Sequence, residues 1–316
     1  MTRSPVILAT SGDVNGLLDE ALQAGVADFL VLPQPPETIL FAIRKAVSTP
    51  RGGPGGVGQG RIVTVVSPKG GTGKTVVSTN LAASLARAGQ RSLVVDLDLQ
   101  FGDAAIMLGV ESKRTIVELA SQGSQLDAEK LAAFAVVDSR TGVALLPGSD
   151  RPEESEAIRD HELAIVLSTA RVAFDAVIVD TAPLFDRAML AALDASDEVI
   201  LVSNPELPSL KNTQICLDTL DRLGIGRERL TMVVNRIGSP NALGRSDIEH
   251  ALDTDIDYTL PDDSAVPDAI NRAVPVIAAY PNSRFSEAML AFAATLGGDR
   301  VSPAQARRRF RIRGAK

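Results

Sequence analysis

The stretch that most constrains the fold of this chain is residues 61–75, RIVTVVSPKGGTGKT. Residues 61–67 are mostly apolar and β-branched, which predicts a buried strand. Residues 68–73 form a glycine-rich turn, here called the phosphate loop, and apolar residues at helical spacing follow it. We therefore expect a strand that runs through a tight loop directly into a helix, as in parallel α/β sheets.

This strand, loop and helix have the features of a polyphosphate site. Glycines let the backbone turn its N–H groups onto phosphate oxygens without a Cβ in the way. The start of the helix adds free N–H donors and the positive end of the helix dipole. We expect Lys74 to bind the β- and γ-phosphates of a nucleotide and the Thr75 hydroxyl to ligate Mg²⁺. The alternative is a glycine-rich βα turn that binds nothing. The residues predicted to contact the nucleotide here are Gly70, Gly71, Thr72, Gly73, Lys74, Thr75 and Val76.

Carboxylates follow two further predicted strands. Residues 92–96 end in Asp96, and Asp98 comes two positions later, so both side chains point the same way at the strand end. Residues 176–180, AVIVD, form an apolar run that ends in Asp180. The carboxyl ends of parallel strands line the ligand crevice, so these groups are candidates for holding Mg²⁺. The alternative for Asp96 and Asp98 is that they cap the next segment.

The loop departs from the ordinary phosphate-binding pattern, because Pro68 stands where a glycine is expected and Lys69 supplies a second lysine. The run KGGTGKT resembles the deviant Walker A motif of the MinD/ParA superfamily of dimerising ATPases. The resemblance implies a doubly wound, mostly parallel α/β sheet over residues 61–300, with ATP and Mg²⁺ as cofactors. It also implies a homodimer with ATP sandwiched between the copies, in which Lys69 reaches the partner's phosphates. Hydrolysis of ATP to ADP and phosphate is expected to be slow without a partner.

The same resemblance assigns roles to residues outside the loop. It implies that Asp98 orients the attacking water and that Asp180 holds Mg²⁺, with Asp96 close to the magnesium shell. Asn235 and Arg236 match a motif whose asparagine contacts the adenine edge, and Pro261 lies in a segment that lines the base pocket. The predicted catalytic residues are Lys69, Lys74 and Asp98, and the predicted metal ligands are Thr75, Asp96 and Asp180. From the residue alone, Asn235 can also be a turn asparagine after a strand.

The flanking segments are separate from this domain. Residues 1–47 resemble the last half of a response-regulator receiver domain, with strands expected at 5–10 and 28–32 and helices at 16–24 and 37–47. The strand that would carry the phosphoacceptor aspartate is missing from them. We therefore expect no phosphotransfer, whether the segment is a degenerate receiver or a small appendage. Residues 48–60 are rich in glycine and proline and read as a linker. Residues 301–316 are basic, with a solvated tail as the first interpretation and weak peripheral contact with anionic lipid as the second.

Bulk composition limits the classes of function. The net charge of −7 does not favour nucleic-acid binding, so DNA is an improbable partner. The single cysteine, Cys216, permits no internal disulfide, and no signal peptide or membrane span is evident, so the cytoplasm is the expected location. Both histidines, His161 and His250, are expected to be solvated or capping residues.

The whole chain resembles the CpaE/TadZ branch of the superfamily, which localises Tad-type pilus secretion machines at the cell pole. The resemblance rests on the receiver-like front, the linker, DLDLQFGD and NPELPSLKN at 204–212. A septum-site regulator of MinD type is the nearest alternative, and a nucleotide-binding scaffold with little hydrolysis is another. The implied partners are the proteins of a pilus, secretion or division machine. Recruitment to the inner face of the membrane or to the cell pole is the corresponding expectation.

Overall fold

The computed structural model of the chain describes residues 7–11, 28–33, 39, 60–149, 151, 153 and 158–296. Its centre is an eight-stranded sheet in the order β10-β9-β8-β3-β7-β4-β6-β5. All neighbouring strands in it are parallel except β5 and β6. The strands are β3 (Arg61–Val66), β4 (Ser92–Leu97), β5 (Val136–Val137), β6 (Ala144–Leu146), β7 (Ala176–Thr181), β8 (Glu198–Ser203), β9 (Leu230–Ile237) and β10 (Tyr258–Pro261).

Helices connect these strands. The longer ones are α1 (Lys74–Arg87), α5 (Asp160–Ala173), α6 (Arg187–Ala195), α7 (Leu207–Arg222), α8 (Arg245–Leu252) and α11 (Arg284–Leu296). The shorter ones are α2 (Ala104–Leu108), α3 (Ile116–Ala120), α4 (Ala128–Phe134), α9 (Ala265–Asn271) and α10 (Val276–Ala279), with a 3₁₀ turn at Gly123–Gln125. None of the helices in the described ranges is both long enough and apolar enough to cross a membrane.

The central strands are buried on both faces, which explains their continuous apolar sequences. Along β3, Val63 and Val65 belong to the core cluster that contains residues of α1 and α11. Ile62 and Val66 point to the opposite face and join two other clusters, built around α5 and α7 respectively. The helices therefore cover both faces of the sheet, and the predicted doubly wound, mostly parallel α/β fold is confirmed.

The differences from expectation lie in the connections. Helix α5 begins at Asp160, because Arg159 has an extended backbone and its N–H donates to the Glu162 carboxylate as a helix cap. The sequence predicts a helix over 153–173, and residues 154–157 of that range lie outside the described residues. The antiparallel edge strand β5 and the helices α2, α6, α8 and α10 were not predicted from the sequence. Cys216 is buried in the core beside α6, as expected for a structural thiol.

At the front of the chain, β1 (Ile7–Thr10) pairs in parallel with β2 (Asp28–Val31). Both strands were expected. The helices predicted at 16–24 and 37–47 lie outside the described residues, apart from Ile39, which is helical. The linker at 48–59 and the basic tail at 301–316 also lie outside them.

Candidate functional site

The predicted site residues converge at the carboxyl ends of β3, β4 and β7. In the sheet register, Asp96 of β4 lies directly opposite Asp180 of β7, and Asp180 lies opposite Val65 of β3. The phosphate loop leaves β3 at this same edge and returns into α1. Parallel pairing therefore brings together groups that are far apart in the chain.

The backbone of the phosphate loop requires glycine at two positions. Gly71 has φ of 78° and Gly73 has φ of 93°, a left-handed region that side chains disfavour. The first hydrogen bond of α1 runs from Val77 N–H to the Gly73 carbonyl, at 2.9 Å. The three preceding amide groups, those of Lys74, Thr75 and Val76, have no acceptor within the helix. The loop thus offers a ring of free donors at a helix N-terminus, which suits a phosphate group.

The two lysines of the loop lie in different environments. Lys74 is buried, and this burial lowers the pKa of its ammonium group, while the charges of Asp180 and Asp98 act in the opposite direction. Lys69 is exposed, and within the described residues its ammonium group has no acidic partner. Lys74 is therefore buried in the site, whereas the exposed Lys69 is accessible to a second molecule.

Asp180 connects the sheet to α1. Its Oδ2 accepts a hydrogen bond from the Thr75 hydroxyl at 2.6 Å, and its Oδ1 accepts one from the Ser78 hydroxyl at 2.8 Å. The side chain is almost completely buried, and this burial raises the pKa of Asp180 to about 6. The hydroxyl hydrogen bonds and the charge of Lys74 act against that rise.

Asp96 organises the segment that follows β4. Its two carboxylate oxygens accept backbone N–H groups from Asp98 at 3.0 Å and Ala104 at 3.2 Å. Burial, and next the charge of Asp180, raise the pKa of Asp96 well above its usual range. A Cβ at Gly102 would clash with this carboxylate, so glycine is needed there for close approach.

Asp98 lies at the open side of this segment. It is half-buried, and its Oδ1 accepts the backbone N–H of Phe101 at 3.2 Å. It is near enough to Lys74 to influence the pKa of that ammonium group. Its position at the edge of the crevice suits a group that orients a water molecule.

The predicted base-binding residues lie on the other side of the loop. Asn235 is near the end of β9, and its Nδ2 donates to the carbonyl of Thr72 at 2.8 Å. Arg236 follows with φ of 57°, and its N–H donates to Asn235 Oδ1. Pro261, at the end of β10, pairs with Ile237 beside them. All predicted site residues therefore lie along one edge of the sheet.

The donor set fits a hydrated magnesium ion and a nucleotide. Hydroxyl and carboxylate oxygens are the ligands that Mg²⁺ prefers, and it usually keeps several waters and one or two carboxylates. Accordingly, no group of three or more His, Cys, Asp or Glu side chains suited to a metal is found in the described part of the chain. The left-handed glycines and free helix donors provide a cradle for phosphate.

Sequence reasoning missed three contributors. Ser78, which contacts Asp180, is four positions after Lys74 and so lies on the same helix face, a spacing that would have identified it. Gly102 gave no sequence signal, because its role depends on the approach of Asp96. Ser67 was also missed: its hydroxyl accepts from Thr72 Oγ1 at 2.8 Å and from the Lys69 N–H at 3.3 Å.

Comparison with known proteins places the chain among ATP-binding proteins of this fold. Residues 60–224 match the family model described as the AAA domain. The septum site-determining protein MinD of Thermotoga maritima is 26% identical over 250 residues, which cover 77% of this chain and 90% of that protein. An uncharacterized ATP-binding protein of Methanocaldococcus jannaschii is 29% identical over 238 residues, covering 75% of this chain and 88% of that protein.

Solved structures share the fold. A ParA family ATPase from Chlorobium tepidum superposes with a TM-score of 0.70 at 24% identity, covering 74% of this chain and 98% of that one. MinD from Pyrococcus horikoshii, solved with Mg-ADP, gives 0.66 at 24% identity, covering 75% of this chain and 96% of that one.

Proposed function

We propose that this chain acts as a Mg-ATP-dependent dimerising switch. The premise is that it belongs to the AAA domain family and is an ATPase of the MinD/ParA superfamily. The observation that supports this most directly is the hydrogen bond from Thr75 Oγ1 to Asp180 Oδ2. It places the hydroxyl at the start of α1 against the carboxylate at the end of β7. This is the pair of oxygen ligands that a nucleotide-bound Mg²⁺ requires beside the phosphate loop.

Catalysis would consist of positioning and neutralisation of charge. The free amides at the start of α1 bind the phosphate oxygens, and Lys74 neutralises the β- and γ-phosphates. Thr75 and Asp180 would hold Mg²⁺, which supplies charge neutralisation across the β- and γ-phosphates when bound. Asp98 orients a water in line with the γ-phosphate, and Asp96 keeps Asp98 in place through the backbone N–H that it accepts.

The test is ATP turnover in the presence of Mg²⁺. Lys74→Ala and Asp98→Ala are expected to abolish measurable turnover, because each removes a group that stabilises or aligns the transition state. Asp98→Ala should retain ATP binding, whereas Lys74→Ala should weaken it. Lys113→Ala, at an exposed lysine away from the site, is the matched control. Turnover that is unchanged in either site variant would remove this mechanism.

A second copy is expected to complete the site. Lys69 is exposed at the mouth of the loop and can reach a neighbouring molecule. Beside the loop, Ser67 and Pro68 line a cavity of about 280 Å³ together with Leu184, Phe185 and Ile215. Leu184 is 63% exposed and Ile215 is 55% exposed. Exposed apolar clusters of this kind mark interaction surfaces, which supports burial of this face in a homodimer.

Light scattering coupled to gel filtration tests the dimer. Asp98→Ala with ATP should be dimeric because it binds without hydrolysis, and the same protein with ADP should be monomeric. Lys69→Ala should stay monomeric with ATP, while Lys113→Ala should behave as the parent protein. A dimer that forms equally well with Lys69→Ala would remove the cross-subunit role of Lys69.

For the cellular role, we propose localisation or assembly of a Tad-type pilus machine. The support is sequence resemblance alone: the receiver-like front, the linker and the segments DLDLQFGD and NPELPSLKN. The septum-site alternative is favoured by the names of relatives such as the Thermotoga protein. A fluorescent fusion that loses its polar focus when pilus genes are deleted supports the first role. Mid-cell division defects without pilus loss support the second.

The basic tail, residues 301–316, is a candidate for weak contact with anionic lipid. Flotation with anionic and neutral liposomes tests this. Loss of binding on deletion of the tail supports the contact, and equal recovery of both forms removes it.

A further inference from the structure

We propose that Asn235 is a positioning residue that holds the phosphate loop in its binding conformation, in addition to any contact that it makes with a base. The proposal rests on the proposed nucleotide-binding function and deepens it. The polar atoms of the Asn235 side chain are both engaged within the protein, and the partner on one side is the loop itself.

The first observation is the hydrogen bond from Asn235 Nδ2 to the carbonyl of Thr72, at 2.8 Å and buried. Thr72 is the last loop residue before Gly73 and is 1% exposed. A buried carbonyl that loses its donor costs free energy, because water does not replace the bond. The amide therefore fixes the peptide that joins Thr72 to Gly73.

The second observation is steric. A Cβ at Gly73 would clash with Nδ2 of Asn235, so the absence of a side chain at Gly73 is what admits the amide. Gly73 has φ of 93°, and its position is the N-cap of α1. Two demands thus coincide at Gly73, since it must adopt a left-handed backbone and must leave room for Asn235.

The third observation concerns the other end of the amide. Asn235 Oδ1 accepts the backbone N–H of Arg236 at 3.0 Å, and Arg236 has φ of 57°, an uncommon conformation for a side chain of this size. The amide plane is therefore held from both sides and cannot rotate without losing a contact. From the residue just before the loop, the Ser67 hydroxyl binds both Thr72 and Lys69. The loop is thereby anchored at two points.

The consequence is preorganisation. A loop that is already ordered loses less entropy when it closes on phosphate, so its affinity is higher. Because Asn235 holds the phosphate loop, its loss should weaken binding of the phosphate part of the ligand. A residue that contacts only the base would not affect this part of the affinity. This difference separates the two roles.

The experiment uses calorimetric titration of the full chain with Mg²⁺ and three ligands: ATP, GTP and sodium tripolyphosphate, which has no base. The variants are Asn235→Ala and the isosteric Asn235→Asp, which places an oxygen where the Nδ2 donor was. Asn271→Ala, at an exposed asparagine at the end of α9, is the matched control. We expect Asn235→Ala to weaken tripolyphosphate binding about tenfold, the equivalent of one buried hydrogen bond. Asn235→Asp should weaken it further, because it also places a negative charge beside the loop. The ratio of ATP to GTP affinity reports separately on any contact between Asn235 and the base.

Hydrogen exchange of the unliganded protein provides a readout that needs no ligand. The amides of Lys69 and Val77, which donate to Ser67 Oγ and to the Gly73 carbonyl, should exchange faster in both variants, while those of β3 stay protected. If tripolyphosphate binds the variants as tightly as the parent while ATP is weakened, Asn235 reads the base only and the proposal is overturned. If the parent protein binds none of the three ligands, the proposed function fails. Exchange then decides this inference alone: faster exchange supports it, and unchanged exchange overturns it.

Discussion

Replacing Asp180 with asparagine should change the pH dependence of stability in a defined direction. The Asp180 carboxyl is 1% exposed, and burial raises its pKa from 3.8 to about 6 in the folded protein. Between these two values the folded state binds more protons than the unfolded state. The free energy of unfolding therefore falls as pH rises through this window, and the cost of the ionised carboxylate persists above pH 6.

The size of the effect follows from the shift. Each unit of pKa corresponds to about 1.4 kcal/mol, so the ionised Asp180 costs about 3 kcal/mol at pH 7.5 and about 1 kcal/mol at pH 4.5. Asparagine does not titrate, so the difference in unfolding free energy between Asp180→Asn and the parent should shift by about 2 kcal/mol in favour of the variant over this range. In a domain of this size that corresponds to a relative change in Tm of roughly 4–8 °C.

The assay is urea denaturation of the magnesium-free protein at pH 4.5, 5.5, 6.5 and 7.5, with Asp180→Asn and the parent measured side by side. Lost or altered hydrogen bonds to Thr75 and Ser78 contribute an offset that is the same at each pH, so only the trend with pH is diagnostic. Asp194→Asn, at an exposed carboxylate on α6, is the control. A difference between Asp180→Asn and the parent that stays constant with pH would refute the reasoning.

Three further predictions concern single residues: a glycine, a buried thiol and a bridging arginine. Gly102→Ala should lower the unfolding free energy by about 1–3 kcal/mol and reduce ATP turnover, because the new Cβ displaces the Asp96 carboxylate; Gly226→Ala, whose Cβ meets only the movable end of Glu228, should be nearly neutral in the same denaturation assay. Burial raises the pKa of the Cys216 thiol to about 12, so iodoacetamide should modify the native protein slowly and the urea-unfolded protein rapidly, as followed by mass; equal rates would contradict its burial. Arg140→Lys should lower the urea midpoint by an amount equivalent to about 1–2 kcal/mol, since lysine cannot bind Asp138 and the carbonyls of Leu108 and Ala273 together, and an unchanged midpoint would show that this bridge adds no stability.

The sequence predicted the sheet and the edge at which the site lies because both follow from local patterns. Apolar runs that end in polar groups mark buried parallel strands, and β3, β4 and β7 have the expected positions within one or two residues. The loop glycines likewise predict the phosphate-binding loop from a local pattern. These features depend on residues that are neighbours in the chain.

The missed elements are short, or depend on contacts between distant residues. Helix α6 has nine residues and follows Asp186, whose carboxylate accepts the Met189 N–H at 2.8 Å as an N-cap; that cap was readable from the sequence. The need for glycine at position 102 could not be predicted from the sequence, because it depends on where Asp96 lies in the folded protein. The hydrogen bond between Asn235 and Thr72 joins residues 163 positions apart, and no local pattern indicates it.

The charges at the sheet edge explain why this arrangement needs a cation. Asp96 and Asp180 lie opposite each other and are both buried, so each raises the cost of ionising the other. Lys74 is the nearby positive group, but its own burial also disfavours the charged form. Two buried acids and one buried base therefore leave the pocket short of positive charge at neutral pH. A divalent cation beside Thr75, as proposed, would supply that charge, and the phosphates bound with it would supply negative groups for Lys74 and the α1 amides. Metal and nucleotide should accordingly bind cooperatively, each making the site more favourable for the other.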